Sequence, residues 1–479
     1  MNVLSKFISW IKEFWRSAVI GKTTIKEKLH TEIAISDKMM TALELWSAMY
    51  ENRAGWLTDE VVSTNLAAAV SSEIGRLVTI EMQAKIEGSK RADYLAEQFE
   101  KVHEHMREIV ELGAAKGGIM LKPYVSGKNI AVDFIQADQF FPIAFDGNGN
   151  IISCVFVDQH VRGDKYYTRL EQHELKGTDY TVTNKAYKSD SRDVLGSEIQ
   201  MTDFDLWVDI EPEATIKNIE KPLFGYFKYP MANNVDPASP LGVSCFSRAV
   251  KQIQQADVQW SDFIWEFESG RRALFIDVLA FGKDADGKPV LPQKRLYRTL
   301  ESGSAEGEFF QEWTPTLREA NILKGFDAIL KQIEFLCGLA YGTISDPNTV
   351  DRTATEIKTT KQRSYSTVVD TQKALTRALD DLLYAMDVWA TLGKLAPKGK
   401  YTAVYEYDDS VIVDRSAQFT EDLRLVTSQI MSKVEFRMRN MKEDEVTAKK
   451  MLAMVTEEVT AQLEMEQKQE EDSEIPQEE

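Results

Sequence analysis

Cysteine and histidine are scarce in this chain: 479 residues hold three cysteines and five histidines. Cys154, Cys245 and Cys337 are scattered and odd in number. They exclude a disulfide framework, fall short of a zinc knuckle, and suit a reducing compartment. Among the histidines only His103 and His105 are near neighbours, and two apart on a helix they point in different directions, so no metal pair follows. Long apolar runs are missing too. No stretch approaches twenty apolar residues, which leaves no candidate membrane-spanning helix. The opening MNVLSKFISWIKEFW is broken by Lys6, Lys12 and Glu13 and lacks a small-residue cleavage site, unlike a secretory signal. Basic residues are in deficit: 57 Lys and Arg against 76 Asp and Glu give a formal charge of −19. A protein that holds nucleic acid by neutralising phosphates needs the opposite balance. An acidic wall instead suits a conduit that must not grip what passes through it.

What is present is ordinary globular material, 43% hydrophobic, long enough for two to four structural units at roughly 100–200 residues each. Leu4, Phe7, Ile8, Ile11, Phe14 and Trp15 fall at helical spacing and give residues 1–18 one apolar face. Docking on the protein's own body or a neighbouring copy suits that face better than a membrane surface. Residues 35–115 read as helical, with Thr58 as an N-cap before Asp59 and Glu60, and Val62, Leu66, Val70, Ile74 and Leu77 on one face. From Gly117 the period changes to two: IMLKPYV, IAVDFI, QFFPIAF, IISCVFVDQ, YYTRLEQHEL and DYTVTNKAY read as strands. Asp146-Gly147-Asn148-Gly149 reads as a hairpin, and connections this short predict an antiparallel meander.

After the strand FGYFKYP the pattern turns helical at Leu241. Val243, Phe246, Val250, Ile253, Asp257, Trp260, Ile264 and Phe267 are spaced alternately three and four apart, a heptad stripe that Gly270 ends. An insert, 271–314, carries strand-like RALFIDVLAF and turns at Asp286-Gly287 and Ser302-Gly303. Pro315 and a capping box from Thr316 to Glu319 open a second helix, with Leu323, Phe326, Leu330, Ile333, Cys337 and Ala340 as its stripe and Gly342 as its stop. The polar stretch TISDPNTVDR leads to another capping box, Thr353 to Glu356, and a helical pattern reaching Gly393, on the order of 60 Å. Its first turns are polar; an apolar face runs from Tyr365 through Val368, Leu375, Leu379, Leu382 and Met386. A strand YTAVYEY, a helical region over 416–467 and a solvated acidic tail follow.

Apparent chemical motifs fail on inspection. Gly21-Lys22-Thr23 has Arg16 where a phosphate-binding loop needs glycine. Asp146, Asn148 and Asn150 open like a calcium loop, but Ile151 stands where its glycine belongs, and Asp284 with Asp286 fails likewise. No nucleophile elbow or dinucleotide glycine pattern is present. The expectation is a non-enzyme without catalytic, cofactor or metal residues.

Two heptad helices flanking a β insert, then a polar loop and a very long helix, resemble the portal proteins of long-tailed phages that infect Gram-positive bacteria. AKGGIMLKPYV with IAVDFIQADQFFPIAFD resembles the β part of the wing. SPLGVSCFSRAVKQIQQADVQWSDFIWEFESG resembles the approach to the first stem helix and that helix. LCGLAYGTISD through RTATEIKTT resembles the second stem helix's end, the tunnel loop and the start of the long helix, and VYEYDDSVIVDR resembles the segment leading to the crown. The likeness runs from about residue 35 to 460, with its specificity in the order of parts. The N-terminal helix and the acidic tail match no family feature.

The resemblance implies an α+β, predominantly helical portal fold with wing, stem, clip and crown, assembled as a ring, typically of twelve copies, at one capsid vertex. Its expected parts are an N-terminal arm (1–34), wing (35–236), first stem helix (237–270), clip (271–314), second stem helix (315–342), tunnel loop (343–352), long wing helix and β return (353–415), and crown with acidic tail (416–479). It implies passage of double-stranded DNA without sequence preference during packaging and ejection. The implied partners are the terminase large subunit, which supplies the ATPase, a head–tail adaptor, and the major capsid and scaffolding proteins, with no membrane. Assembly in the host cytoplasm and residence in the virion follow. Asp346, Asn348, Asp351, Arg352, Lys358, Lys361 and Arg363 are the expected tunnel lining, on a loop expected to be mobile because only Ile344 and Val350 are apolar. Phe246, Ile253, Asp257, Trp260, Ile264, Phe326 and Ile333 are the expected stem seam between subunits. Asp257, acidic within an apolar stripe, either meets solvent or pairs with a cation or hydroxyl at the seam and sets register. The stripes alone suit an internal helix pair as well as a ring wall. A minor head protein or adaptor is the alternative within phage heads; a metal-dependent nuclease or hydrolase lacks its carboxylate or histidine cluster.

Overall fold

Sequence period and turn chemistry account for most of the architecture. The computed structural model describes residues 25–29, 31–192, 194–271, 273–277, 297–300, 310–313, 316–346, 354–407, 415–441 and 443–457; for the strands of 273–313 and for helical positions 354–361 and 415–418 it describes the backbone alone. Helix occupies 46% and strand 22%, so the α+β, predominantly helical reading holds. Two compact units divide the chain, Met1–Tyr407 and Asp408–Glu479.

The first unit opens with a short helix α1 (25–29), then α2 (Asp37–Tyr50) and α3 (Leu66–Thr79). Ser36 caps α2 by accepting from the Met39 amide at 3.3 Å. Thr58 does not begin a helix. Its hydroxyl accepts from the amides of Glu60 (3.2 Å) and Val61 (3.1 Å) and closes a turn, and α3 starts only after Asn65, whose φ of 58° is left-handed. Nor is 35–115 wholly helical. Strand β1 (Gln83–Glu87) precedes α4 (Lys90–His103) and α5 (Met106–Lys116), and pairs antiparallel with β14 (Thr402–Glu406) far along the chain.

The meander read from Gly117 onward is present, divided over two antiparallel sheets. β2 (Gly118–Ser126) lies between β3 (Asn129–Gln136) and β10 (Gly225–Lys228). β4 (Phe140–Phe145), β5 (Ile151–Arg162), β6 (Lys165–Lys176), β7 (Asp179–Ser189) and β8 (Ser197–Ile199) follow in order, with β9 (Glu213–Ile216) on β7. Asp146 shapes the β4–β5 hairpin by accepting from the amides of Asn148 and Asn150, each at 2.8 Å, which explains the acidic-amide cluster without a cation. Gly117 turns the chain from α5 into β2 with φ of 84°, and a Cβ on Gly242 would stand 1.9 Å from the Gly117 carbonyl oxygen. Only glycine fits either place.

Helix α6 (Val250–Ser269), strands β11 (Ala273–Asp277), β12 (Tyr297–Leu300) and β13 (Phe310–Trp313), and helix α7 (Glu319–Cys337) come next. β11 is central in this small sheet, antiparallel to β13 but parallel to β12. Helix α8 (Ala354–Leu392) has 39 residues and is about 58 Å long. Its apolar face, Val368, Leu375, Leu379, Leu382 and Met386, is buried as the spacing predicts, against β10, β2 and α3.

The second unit contains α9 (Arg415–Thr427), α10 (Lys433–Met441) and α11 (445–457). Among its described residues only Met431 and Ala448 are buried apolar side chains. Asp422 is buried as well, accepting from Asn440 at 2.9 Å and Arg439 at 3.2 Å.

Candidate functional site

The α6–α7 pair carries the features that composition could not explain. The two helices run antiparallel: the C-terminal end of α6 meets the start of α7 at Glu266 and Arg318, and mid-helix Trp260 stacks 5.5 Å from Phe326. The Glu266 carboxylate receives the Arg318 backbone N–H at 3.0 Å and its guanidinium at 3.1 and 2.7 Å. Those hydrogen bonds hold the Glu266 carboxyl below its ordinary range. The capping-box reading is corrected as well: Arg318, not Thr316, occupies the N-cap of α7.

The first stripe is shorter than its spacing suggests. Residues 245–249 form turns, so the helix begins at Val250, while Val243 and Phe246 are fully buried in the first unit. Within the pair, burial changes along the axis. Ile253, Ala256 and Asp257 on α6, with Leu330, Ile333, Glu334 and Cys337 on α7, face the chain's own core. Farther toward the β insert, Trp260 and Phe326 are half-buried, whereas Ile264, Trp265, Phe267 and Leu323 are exposed. Of the expected seam residues, therefore, Phe246, Ile253, Asp257 and Ile333 are interior to one chain; Trp260, Ile264 and Phe326 lie in the half that presents apolar surface.

Asp257 neither meets solvent nor awaits another subunit. It is 3% exposed, and its Oδ2 accepts from the Trp56 indole at 2.8 Å while Oδ1 accepts from the Thr64 amide (2.7 Å) and hydroxyl (2.6 Å). Ser261 extends the seam one turn on by accepting from the Val62 amide at 2.9 Å. Together they fasten the segment before α3 along α6.

A second buried carboxylate organises the segment after α7. Glu334 is fully buried; Oε1 accepts from the amides of Ile344 (2.7 Å) and Ser345 (2.9 Å), and Oε2 from the Ser345 hydroxyl (2.8 Å) and the Gly342 amide (3.2 Å). The Asp346 amide donates to Asp327 at 3.1 Å. Gly338, left-handed at φ 73°, ends α7 and offers its carbonyl to Thr367 at 3.0 Å; Ser364 accepts from the Ala340 amide at 2.6 Å. Arg363 lies 4.2 Å over the Phe335 ring. The first part of the segment expected to be mobile is thus pinned between α7 and α8. Of the expected lining, Asp346 is exposed and Arg363 exposed on α8; Asn348, Asp351 and Arg352 lie outside the described residues, as do the side chains of Lys358 and Lys361. Sequence reasoning missed Glu334, although it shares the buried face with Leu330 and Cys337, and an acidic residue there was a readable signal.

Among the described residues no group of His, Cys, Asp and Glu side chains could hold a metal ion, and no helix is long and apolar enough to cross a membrane. The three cysteines are free and buried. Residues 66–477 match the family described as phage portal protein, SPP1 Gp6-like, and the chain belongs to that family. It is accordingly a non-enzymatic part of the virion, serving genome packaging and the connection of head to tail. A solved structure titled "Neck of native GTA particle computed with C12 symmetry" is similar at 12% identity, covering 88% of this chain and 98% of that one, with a TM-score of 0.43. No curated protein matches the chain.

Proposed function

We propose that the chain forms a closed ring of twelve copies at one capsid vertex, whose bore passes double-stranded DNA. The observation that carries this reading is the exposed half of the α6–α7 pair. Trp265 at 61% exposure and, on other sides of the same end of α6, Ile264 and Phe267, with Leu323 on α7, are apolar side chains that a monomer would leave in water. Repetition of one such contact around an axis buries it in every copy, and closure prevents filaments. In this reading α6 and α7 are the stem, β11–β13 the clip, the two larger sheets with α2–α5 and α8 the wing, and the second unit the crown.

The segment 343–352 and the start of α8 then border the bore. Asp346 and Asp351, with Asn348 between them, would repel DNA, while Arg352, Lys358, Lys361 and Arg363, a few cations in a chain of −19, would touch phosphates weakly and without sequence preference. The terminase large subunit and a head–tail adaptor would meet the clip, and capsid and scaffolding proteins the wing, during assembly in the host cytoplasm. Electron microscopy and native mass measurement of the purified full chain test the ring. Closed rings with a central hole are expected; a monodisperse monomer at micromolar concentration across a range of salt would overturn it.

A further inference from the structure

Between the two larger sheets and the last turns of α8 lies a cavity of about 650 Å³, whose lining includes Lys122, Arg169, Glu171, Trp207 and Trp389. Its floor is a closed ionic network. Lys122 contacts Glu171 at 2.6 Å and Asp133 at 3.5 Å; Arg169 contacts Glu171 at 3.2 Å and Asp158 at 3.3 Å; His173 bridges Glu171 (2.7 Å) and the Tyr180 hydroxyl (2.6 Å). Both cations are nearly buried, and their charge is spent on these carboxylates. The charge left at the mouth is negative, on Asp209 and Glu211. Around the same mouth stand Leu206, Leu392 and Tyr124, exposed at 65%, 47% and 41%. Exposed apolar residues scattered singly need no explanation, but three on one acidic rim form a patch.

One segment of this chain complements that patch. Residues 1–24 carry Lys6, Lys12, Arg16 and Lys22 against Glu13, a net +3 (four cations less one anion) within a chain of −19. The same residues hold the apolar stripe from Leu4 to Trp15. In helical form they would extend about 36 Å. Where they begin matters as well. The Lys28 carbonyl accepts from Lys185 at 3.0 Å, and the Lys28 ammonium lies 5.7 Å over Tyr187. The β6–β7 register pairs Leu170 with Lys185 and Glu171 with Asn184, so Lys185 and Tyr187 occupy the face opposite Glu171 and His173. The arm therefore leaves from the far side of the sheet that floors its own cavity.

We infer that residues 1–24 of one copy dock in the wing cavity of a neighbouring copy, basic side chains on Asp209 and Glu211 and apolar face on Leu206, Tyr124 and Leu392. The inference rests on the ring reading. Its test uses the full chain, with Leu206→Cys combined in turn with Phe7→Cys, Ile11→Cys and Phe14→Cys; the native thiols are buried. Oxidised rings should give a ladder of covalently linked subunits on a non-reducing gel for at least one pair. Adding Asp209→Lys and Glu211→Lys, both at exposed positions, should lower the yield about tenfold. Rings that give no ladder with any pair, a cross-link confined to one chain, or a yield indifferent to the charge reversals would each overturn the docking and leave the ring intact. Monomers throughout would overturn both.

Discussion

The Trp56 indole donates to Asp257 at 2.8 Å across 201 residues of sequence, and this hydrogen bond ties α6 to the segment before α3. Asp257 has three donors and almost no exposure, so its charge is satisfied before any neighbour arrives. Asp257→Leu should therefore damage the fold of the single chain rather than spare it and broaden ring size. Loss of the carboxylate strands the Trp56 and Thr64 donors, at about 2–4 kcal/mol in all. Trp56→Phe strands only one acceptor site and should cost about 1–2 kcal/mol. Urea denaturation monitored by far-UV circular dichroism gives both values; an Asp257→Leu protein as stable as the parent would refute the role assigned here.

The exposed residues of α6 call for the opposite outcome. Trp265 is 61% exposed and Phe267, edge-on to Phe263 at 5.0 Å, is 42% exposed, so Trp265→Ser with Phe267→Ser should leave the unfolding free energy of the chain within about 1 kcal/mol of the parent. Assembly should suffer instead. Truncating two aromatic anchors is worth at least about 2 kcal/mol at a packed contact, a shift of roughly thirtyfold in the concentration at which rings form. Mass photometry over a dilution series reads this directly. Unchanged assembly would place the subunit contact elsewhere.

Glu44 on α2 gives the chain a pH dependence. Burial pushes its carboxyl from 4.5 up to about 7, and its Oε1 is enclosed without a hydrogen-bond partner. The folded state holds this proton through a range in which the unfolded chain releases it, so this contribution is complete below pH 4.5 and is lost as pH rises toward 7. Glu44→Gln keeps the neutral shape. It should be nearly neutral at pH 4.5 and stabilising by about 1–3 kcal/mol at pH 8. Equal effects at the two pH values would contradict a buried, protonated Glu44.

Local periodicity explains what could be read from sequence, and distance explains what could not. The buried face of α8, from Val368 to Met386, follows directly from spacing, as do strands β2 to β7 and β10 and the Asp146 turn, whereas β8 and β9 were not read. The same spacing misleads at Phe246. Its apolar neighbours continue the heptad pattern, yet residues 245–249 are turns packed in the interior, because burial alone satisfies a stripe without requiring a helix. Thr316 and Glu319 have capping-box chemistry, but a carboxylate 52 residues earlier in the chain, Glu266, takes Arg318 first. The partners of Asp257 stand 193 and 201 residues away, where no local pattern could point to them. β1 escaped notice for a related reason: five residues between helices become a strand only by pairing with β14.

Glu334 offers the sharpest test of the pinned segment after α7. Its carboxylate has no exposure and takes four donors, three of them backbone or side-chain groups of Ile344 and Ser345 and the fourth the Gly342 amide. Removing it converts each of those donors into a group that must find water, which the segment achieves only by leaving its seat. Glu334→Ala should then cost about 3 kcal/mol locally, the penalty for several orphaned donors reduced by the escape of the segment into solvent. Glu334→Gln retains one carbonyl acceptor for Ile344 and Ser345 while its amide opposes the Gly342 N–H, so about half that loss is expected. Hydrogen exchange followed by mass spectrometry on peptides covering 340–346 measures the effect. Exchange of the Ile344 and Ser345 amides should accelerate by about a hundredfold in Glu334→Ala and about tenfold in Glu334→Gln, with peptides from β5 to β7 unchanged. A uniform acceleration across the chain would indicate global destabilisation instead, and an unchanged rate at Ile344 would show that Glu334 does not hold the segment.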